Sequence, residues 1–258
     1  MDSSDALEVP QGRAGELLER LASAANVEGV RYEIKLVGEE QLYGPLRAEL
    51  ALHPFGFRRL FPARVVQSLY FDTHDEDAVQ ENQAGVSARA KLRWRWYGRQ
   101  ADEVQGQMEL KVRRNQLGWK LRVPIEGNLR LEGLGQAEFC AALAGRLPLV
   151  WADHLRSGLQ LSQWVCYERE YYGSADGLVR ITVDRGLLLY DLRGWHRLDR
   201  RHVVPRSPVL IVEAKAAPEH HAALAECVSA LPLPVDKCSK FVMAAAPGDG
   251  PTLSVTPR

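Results

Sequence analysis

The sequence lacks the common fingerprints of nucleotide enzymes. It has no GxxxxGK[ST] loop and no GxGxxG after a strand pattern, which excludes the P-loop and dinucleotide-fold routes to phosphate recognition. GxSxG and HExxH are missing as well, so neither a nucleophile elbow nor a zincin helix is on offer. Net charge is missing too: 33 Lys+Arg balance 33 Asp+Glu. Attraction of the whole surface to nucleic acid or membrane is therefore not indicated, and any anion site must be a local concentration of cations. Cysteine is scarce. Cys140, Cys166, Cys227 and Cys238 form neither a CxxC pair nor a zinc spacing, which predicts free thiols in a reducing cytosol. No apolar run approaches the ~20 residues that span a bilayer, and Met1 to Glu8 is polar and acidic rather than signal-like. The expectation is a cytoplasmic protein with no membrane span of its own. Its 258 residues suit one large β-rich domain with a substantial core.

What the sequence does have is alternation. In Ser87–Tyr97, SARAKLRWRWY, the cations Arg89, Lys91, Arg93 and Arg95 occupy every second position, with Ala88, Ala90, Leu92, Trp94 and Trp96 between them. A strand sends successive side chains to opposite faces, so this one carries a cationic face and an apolar face. Like charges on one face repel, and a polyanion is the partner such a face asks for. The pattern recurs. Glu109, Lys111 and Arg113 alternate with Met108, Leu110 and Val112; Lys120 and Arg122 with Leu121 and Val123. Tyr167 with Arg169, Arg180 with Thr182 and Asp184, Glu213 with Lys215, and Arg31, Glu33 and Lys35 repeat it. An ordinary sheet with one wet face explains each strand singly. An α+β fold explains them together: an antiparallel β-barrel tunnel with a charged lumen and apolar outer walls flanked by helices.

Along the chain, residues 1–28 read as a partly disordered leader containing a short amphipathic helix through Leu17, Leu18 and Leu21. The tunnel domain occupies 29–246, and 247–258 reads as a disordered tail. The first strand is expected over 30–37, a connecting loop over 55–62, and a strand over 64–72. Helices are expected near 39–52, 136–147, 150–155, 218–231 and 238–246, and a basic loop over 192–207. The acids around Asp72–Asp77 suit a helix N-terminus. The cations choose the chemistry: Arg offers planar bidentate donors to phosphate and Lys a mobile point charge. Among so many cations, Glu33, Glu109 and Glu213 act either as counter-ions or as ligands of Mg²⁺ or Mn²⁺ bridging phosphate oxygens. No nucleic-acid partner is expected, because Trp94 and Trp96 lie opposite the cations rather than beside them.

The series Arg31-Tyr-Glu33-Ile-Lys35, Tyr70-Phe-Asp-Thr73, Leu92–Gly98, Glu109-Leu-Lys111, Lys120-Leu-Arg122, Tyr167-Glu-Arg169, Arg180–Asp184, Val212–Lys215 and Ser239-Lys240-Phe241 resembles the VTC domain. That is the catalytic domain of the vacuolar transporter chaperone polyphosphate polymerase, one of the triphosphate tunnel metalloenzymes. The resemblance covers about 30–243. It implies transfer of the γ-phosphate of ATP onto a polyphosphate or pyrophosphate acceptor, with Mn²⁺ or Mg²⁺. By position it makes Lys35, Arg93, Arg95, Lys111, Arg169 and Lys240 phosphate ligands, Tyr167 a hydroxyl donor and Glu213 the metal ligand, with Glu109 and Glu33 as further carboxylates. Arg89, Lys91, Lys120, Arg122, Arg180 and Lys215 form a second tier of substrate contacts. Two departures stand out. Eukaryotic relatives carry an SPX domain and membrane spans that are not in this sequence, so coupling to export would need a separate membrane partner. The ExExK strand of hydrolytic relatives is reduced to Glu33-x-Lys35, with Arg31 in the place of the first Glu. A metal-dependent triphosphatase and a non-catalytic polyphosphate-binding module are the competing expectations.

Overall fold

The computed structural model describes residues 10–131, 133–236 and 238–245; the expected tail from 247 and the first nine residues of the leader lie outside the described residues. In chain order the elements are α1 (Arg13–Ala22), β1 (Asn26–Glu39), α2 (Tyr43–Leu52), β2 (Arg58–Asp72), α3 (Asp77–Gln83) and β3 (Ala88–Tyr97). Then come β4 (Glu103–Val104), β5 (Gly106–Arg114), β6 (Leu117–Pro124), β7 (Leu129–Arg130), α4 (Gln136–Ala144) and α5 (Leu149–Arg156). The chain finishes with β8 (Gln160–Gly173), β9 (Val179–Asp191), β10 (Val209–Ala216), α6 (His221–Ser229) and α7 (Lys240–Ala245). The long strands close into one antiparallel barrel in the order β1-β10-β9-β8-β2-β3-β5-β6. β4 and β7 pair separately.

Period-two alternation puts the two faces to use as expected. Outward side chains of β3, β5 and β6 meet α1, α4 and α5 in one apolar layer, where Trp94 and Trp96 are fully buried with Phe139 and Trp151. Outward side chains of β9, β10 and β1 meet α2 and α6 through Leu46, Leu50, Leu224 and Val228. Gly106 is small for a reason: a Cβ there would fall 2.5 Å from the Trp94 ring.

A third apolar layer lies inside the barrel, where only charge was expected. Phe241, Met243, Ala244 and Ala245 of α7 pack with the inward residues Val37, Val66, Tyr70, Val165, Tyr167, Leu189 and Ile211. The Tyr70 and Phe241 rings stand 5.0 Å apart. α7 thus fills one end of the lumen, and the charged side chains occupy the remainder. The basic loop of 192–207 serves this plug: Arg193 Nη2 donates to the Ala245 carbonyl at 3.1 Å, and Arg206 Nη2 to that of Met243 at 2.7 Å. Cations at a helix C-terminus satisfy its last carbonyls and oppose its dipole.

Three boundaries differ from the sequence reading. β2 begins at Arg58, within the segment expected to be a loop. Residues 58–64 pair only with β8, through two register shifts, and such an irregular edge tolerates Pro62. β1 begins at Asn26 rather than at residue 30, with a bulge between Glu28 and Arg31 that carries it onto β6. The helix expected from 238 starts at Lys240. α1 docks on the barrel through Ala14, Leu18 and Leu21, and the Trp151 indole donates to the Leu21 carbonyl. Asp72 caps α3, its carboxylate accepting the backbone N–H groups of Thr73, Ala78 and Val79.

Candidate phosphate-binding lumen

The inward charges gather around three carboxylate nodes. Glu109, fully buried on β5, is the register partner of Arg93. Its Oε2 accepts from Arg93 Nη2 at 2.6 Å and Nε at 2.7 Å, with Arg95 at 3.7 Å. Its Oε1 takes Lys120 at 2.9 Å, the Gln107 amide at 2.8 Å and Arg122 at 3.6 Å. Both oxygens are fully subscribed. Arg93 also donates to the Tyr70 hydroxyl, and Arg95 to Ser68 Oγ and the Tyr167 hydroxyl. These bonds hold both guanidinium planes in fixed orientations.

Glu33 on β1 forms the second node. Lys111 Nζ stands 2.7 Å from its Oε2, with Lys215 at 3.8 Å; Lys35 stands 3.5 Å and Arg113 3.7 Å from Oε1. Glu213 on β10 is the third. Lys215 lies 2.7 Å and Arg169 3.2 Å from Oε2; Lys240 lies 3.3 Å and Lys35 3.9 Å from Oε1. Arg169 forms a bidentate pair with Asp184, both bonds at 2.6 Å, and Lys240 reaches the same carboxylate at 2.5 Å. Lys35 and Lys215 therefore bridge the second and third nodes.

Burial acts first on every group here, and the neighbours decide the outcome. It would raise Glu109, Glu33 and Glu213, yet Arg93 and Arg95, Lys111, and Lys215 and Lys240 respectively hold all three well below the ordinary carboxylate range. Burial lowers Lys111 and Lys120 to about 7, against the pull of Glu33 and Glu109. Lys240, opposed by burial but flanked by Asp184 and Glu213, is raised. Lys91 is held well below the usual lysine range by burial and by Lys35 and Lys111; its ammonium donates to Ser239 Oγ at 2.7 Å and sits over the Phe241 ring.

Of the residues expected to act, Lys35, Arg93, Arg95, Lys111, Tyr167, Arg169 and Lys240 come together in this network, with Lys120, Arg122, Lys215, Glu33, Glu109 and Glu213. Lys91 borders it from the plugged end. Arg89 makes no ion pair among the described residues: its guanidinium donates to the Val86 carbonyl, and Arg113 and Glu33 act on it only through space. Arg180 is exposed at the start of β9, opposite Lys215 in register. The sequence reading missed Glu28, which pairs with Arg122 and, at 3.8 Å, with Arg31. Starting β1 at residue 30 leaves it off the strand. Ser68 and Gln107 were missed because neutral polar side chains add nothing to a pattern read from charge.

Among the described residues no three His, Cys, Asp or Glu converge to hold a metal by themselves. Glu33 Oε1 is nonetheless buried without a hydrogen bond, beside Glu213 across Lys35 and Lys215. That pair fits a divalent ion that draws the rest of its shell from phosphate oxygens and water.

A closed antiparallel barrel whose lumen holds Arg, Lys and a few carboxylates defines the class: a barrel tunnel with a charged interior. The chain belongs to the VTC domain family, whose pattern matches residues 30–247. No curated protein matches it in sequence. Solved structures similar to it include PH1819 from Pyrococcus horikoshii, at 14% identity over 83% of this chain and 97% of that one, TM-score 0.47. HpAC1 from Hippeastrum, described as an adenylyl cyclase with a dominant triphosphatase activity, matches at 15% over 84% and 95%, TM-score 0.48. A Vibrio parahaemolyticus protein described as an adenylate cyclase matches at 12% over 85% and 100%, TM-score 0.45. No helix of the described residues is long and apolar enough to cross a membrane.

Proposed function

We propose that this protein transfers the γ-phosphate of ATP onto a polyphosphate or pyrophosphate end within the basic lumen. One observation carries the reading. A chain of zero formal charge gathers Lys35, Arg93, Arg95, Lys111, Arg113, Lys120, Arg122, Arg169, Lys215 and Lys240 around only Glu28, Glu33, Glu109, Asp184 and Glu213. Such an excess of enclosed cations calls for a multiply charged anion. Phosphoryl transfer needs chiefly positioning and charge neutralisation, and this network supplies both without a covalent nucleophile. Arg93 and Arg95, aimed by Glu109, Tyr70 and Ser68, take the transferring phosphate and its neighbour. Arg169 and Lys240, aimed by Asp184, hold the acceptor end. The Tyr167 hydroxyl accepts from Arg95, which leaves its own proton for a phosphate oxygen. Glu33, whose Oε1 accepts no hydrogen bond, and Glu213 beside it would hold Mn²⁺ or Mg²⁺; Glu109, fully buried among Arg93, Arg95, Lys120 and Arg122, acts as counter-ion. A divalent ion held there would supply further neutralisation of the phosphate charge.

A second reading, metal-dependent triphosphatase, is favoured by Glu28. It brings near Arg122 a carboxylate of the kind that the substitution of Arg31 into the ExExK pattern removes. The test is a product gel on purified protein with ATP, Mn²⁺ and pyrophosphate, beside Arg93→Ala. A polyphosphate ladder lost in the variant supports the transferase. Free phosphate alone replaces it with the triphosphatase. Tight binding of polyphosphate with no turnover would make the barrel a binding module.

A further inference from the structure

The lumen end away from α7 is rimmed by rings. Tyr97 continues the inward face of β3 beyond Arg93 and Arg95, and Tyr171 continues that of β8 beyond Tyr167 and Arg169. Arg64 on β2 is the register partner of Arg169, and Phe61 lies across the adjacent register shift. The Phe61 and Tyr171 rings meet edge to face at 5.8 Å and 88°. The Arg64 guanidinium lies 5.2, 5.8 and 5.9 Å from the centroids of Phe61, Tyr97 and Tyr171. Phe61 is 49% and Tyr97 46% exposed, and Arg64 makes no ion pair among the described residues. The cations of the three carboxylate nodes deeper in are committed to Glu109, Glu33, Glu213 and Asp184; this one is committed to rings.

A polyphosphate chain has no π face and no apolar surface, so exposed rings at the mouth give it nothing. A nucleobase has both. We propose that Phe61, Arg64, Tyr97 and Tyr171 form a docking rim for the base of a nucleoside triphosphate whose phosphates lie inward on Arg95 and Arg93. Tyr97 stands two and four residues from those arginines, about 7 and 14 Å along the strand, which leaves room for a ribose between base and phosphates. Recognition is by stacking and cation–π contact, with no hydrogen-bond reader of the base edge. Purine nucleotides therefore bind more tightly than pyrimidine ones, and ATP and GTP are discriminated weakly.

The inference rests on the proposed phosphotransferase, and the experiment separates the two. Equilibrium binding of a β,γ-non-hydrolysable ATP analogue and of inorganic tripolyphosphate is measured in EDTA for the wild type, Tyr97→Ala, Phe61→Ala, Tyr97→Trp and Arg95→Ala. Loss of a stacking ring weakens the ATP analogue about tenfold and leaves tripolyphosphate within about twofold. Tyr97→Trp retains analogue affinity, and Arg95→Ala weakens both ligands. Equal weakening of both ligands in the ring variants, or no change in either, overturns the rim while leaving the lumen reading standing. Wild-type protein that binds neither ligand, in EDTA and again with Mn²⁺ restored, overturns both. Long-chain polyphosphate weakened as much as the ATP analogue by Tyr97→Ala would make the rim a polymer contact and sink the base-docking assignment.

Discussion

Glu109→Gln is the sharpest probe of how the lumen is held together. The wild-type carboxylate is fully buried and faces Arg93, Arg95, Lys120 and Arg122 at 2.6–3.7 Å. Glutamine preserves the shape and removes the charge, leaving those cations to repel one another. Removing one partner of a buried ion pair costs about 3–5 kcal/mol. The lower figure applies here, because Arg122 keeps 37% of its side-chain surface in water and the long side chains can relax along the lumen. At about 2–4 °C per kcal/mol for a chain of this size, Tm should fall by about 6–12 °C in low-salt buffer. Tripolyphosphate should then do more for the variant than for the wild type, because it supplies the missing negative charge. A ligand at a hundred times its Kd stabilises by about 2.7 kcal/mol, enough to recover most of the loss. The assay is thermal unfolding of both proteins with and without tripolyphosphate. An unchanged Tm, or a loss that tripolyphosphate does not restore, would refute the counter-ion assignment of Glu109.

Other outcomes follow from packing and titration elsewhere. His154, whose pKa burial and Arg20 lower to about 4, titrates at about 6.5 when unfolded. The unfolded chain thus binds the extra proton between these values, and stability rises with pH across that window. The effect is at most about 3 kcal/mol, reduced by partial solvent contact; His154→Gln should flatten the acidic limb of a Tm-versus-pH curve. Phe241→Ala should cost about 3–5 kcal/mol by emptying the plug, read as a lowered urea midpoint, and should weaken tripolyphosphate binding by loosening Lys240 beside it. Gly106→Ala should destabilise by about 1–3 kcal/mol, with a change in tryptophan fluorescence as the Trp94 ring is displaced; unchanged fluorescence and stability would contradict the packing described.

Much of the site was legible because one rule, side chains alternating along a strand, acts locally. It placed Arg93, Arg95, Lys111, Lys120, Arg169 and Glu213 on inward faces and Trp94 and Trp96 on the outer wall before any strand had a neighbour. The same rule failed at the irregularities. Glu28 sits beyond a bulge, and the 58–64 segment contains Pro62; a period-two template stops at both. Arg89 shares the inward face of β3 yet spends its guanidinium on the Val86 carbonyl, a local bond that alternation cannot foresee.

By itself, then, the sequence determined which residues face inward, that the interior would be cationic, and that helices would cover the walls. These follow from backbone geometry and from the need to bury apolar stripes. Tertiary structure alone decided which carboxylate neutralises which cation, that α7 plugs one end with Phe241, and that Phe61, Arg64, Tyr97 and Tyr171 meet at the other. Such pairings join residues far apart in the chain. They depend on strand order and on the stagger at which the barrel closes, quantities set by the sum of all strand contacts and written in no single segment.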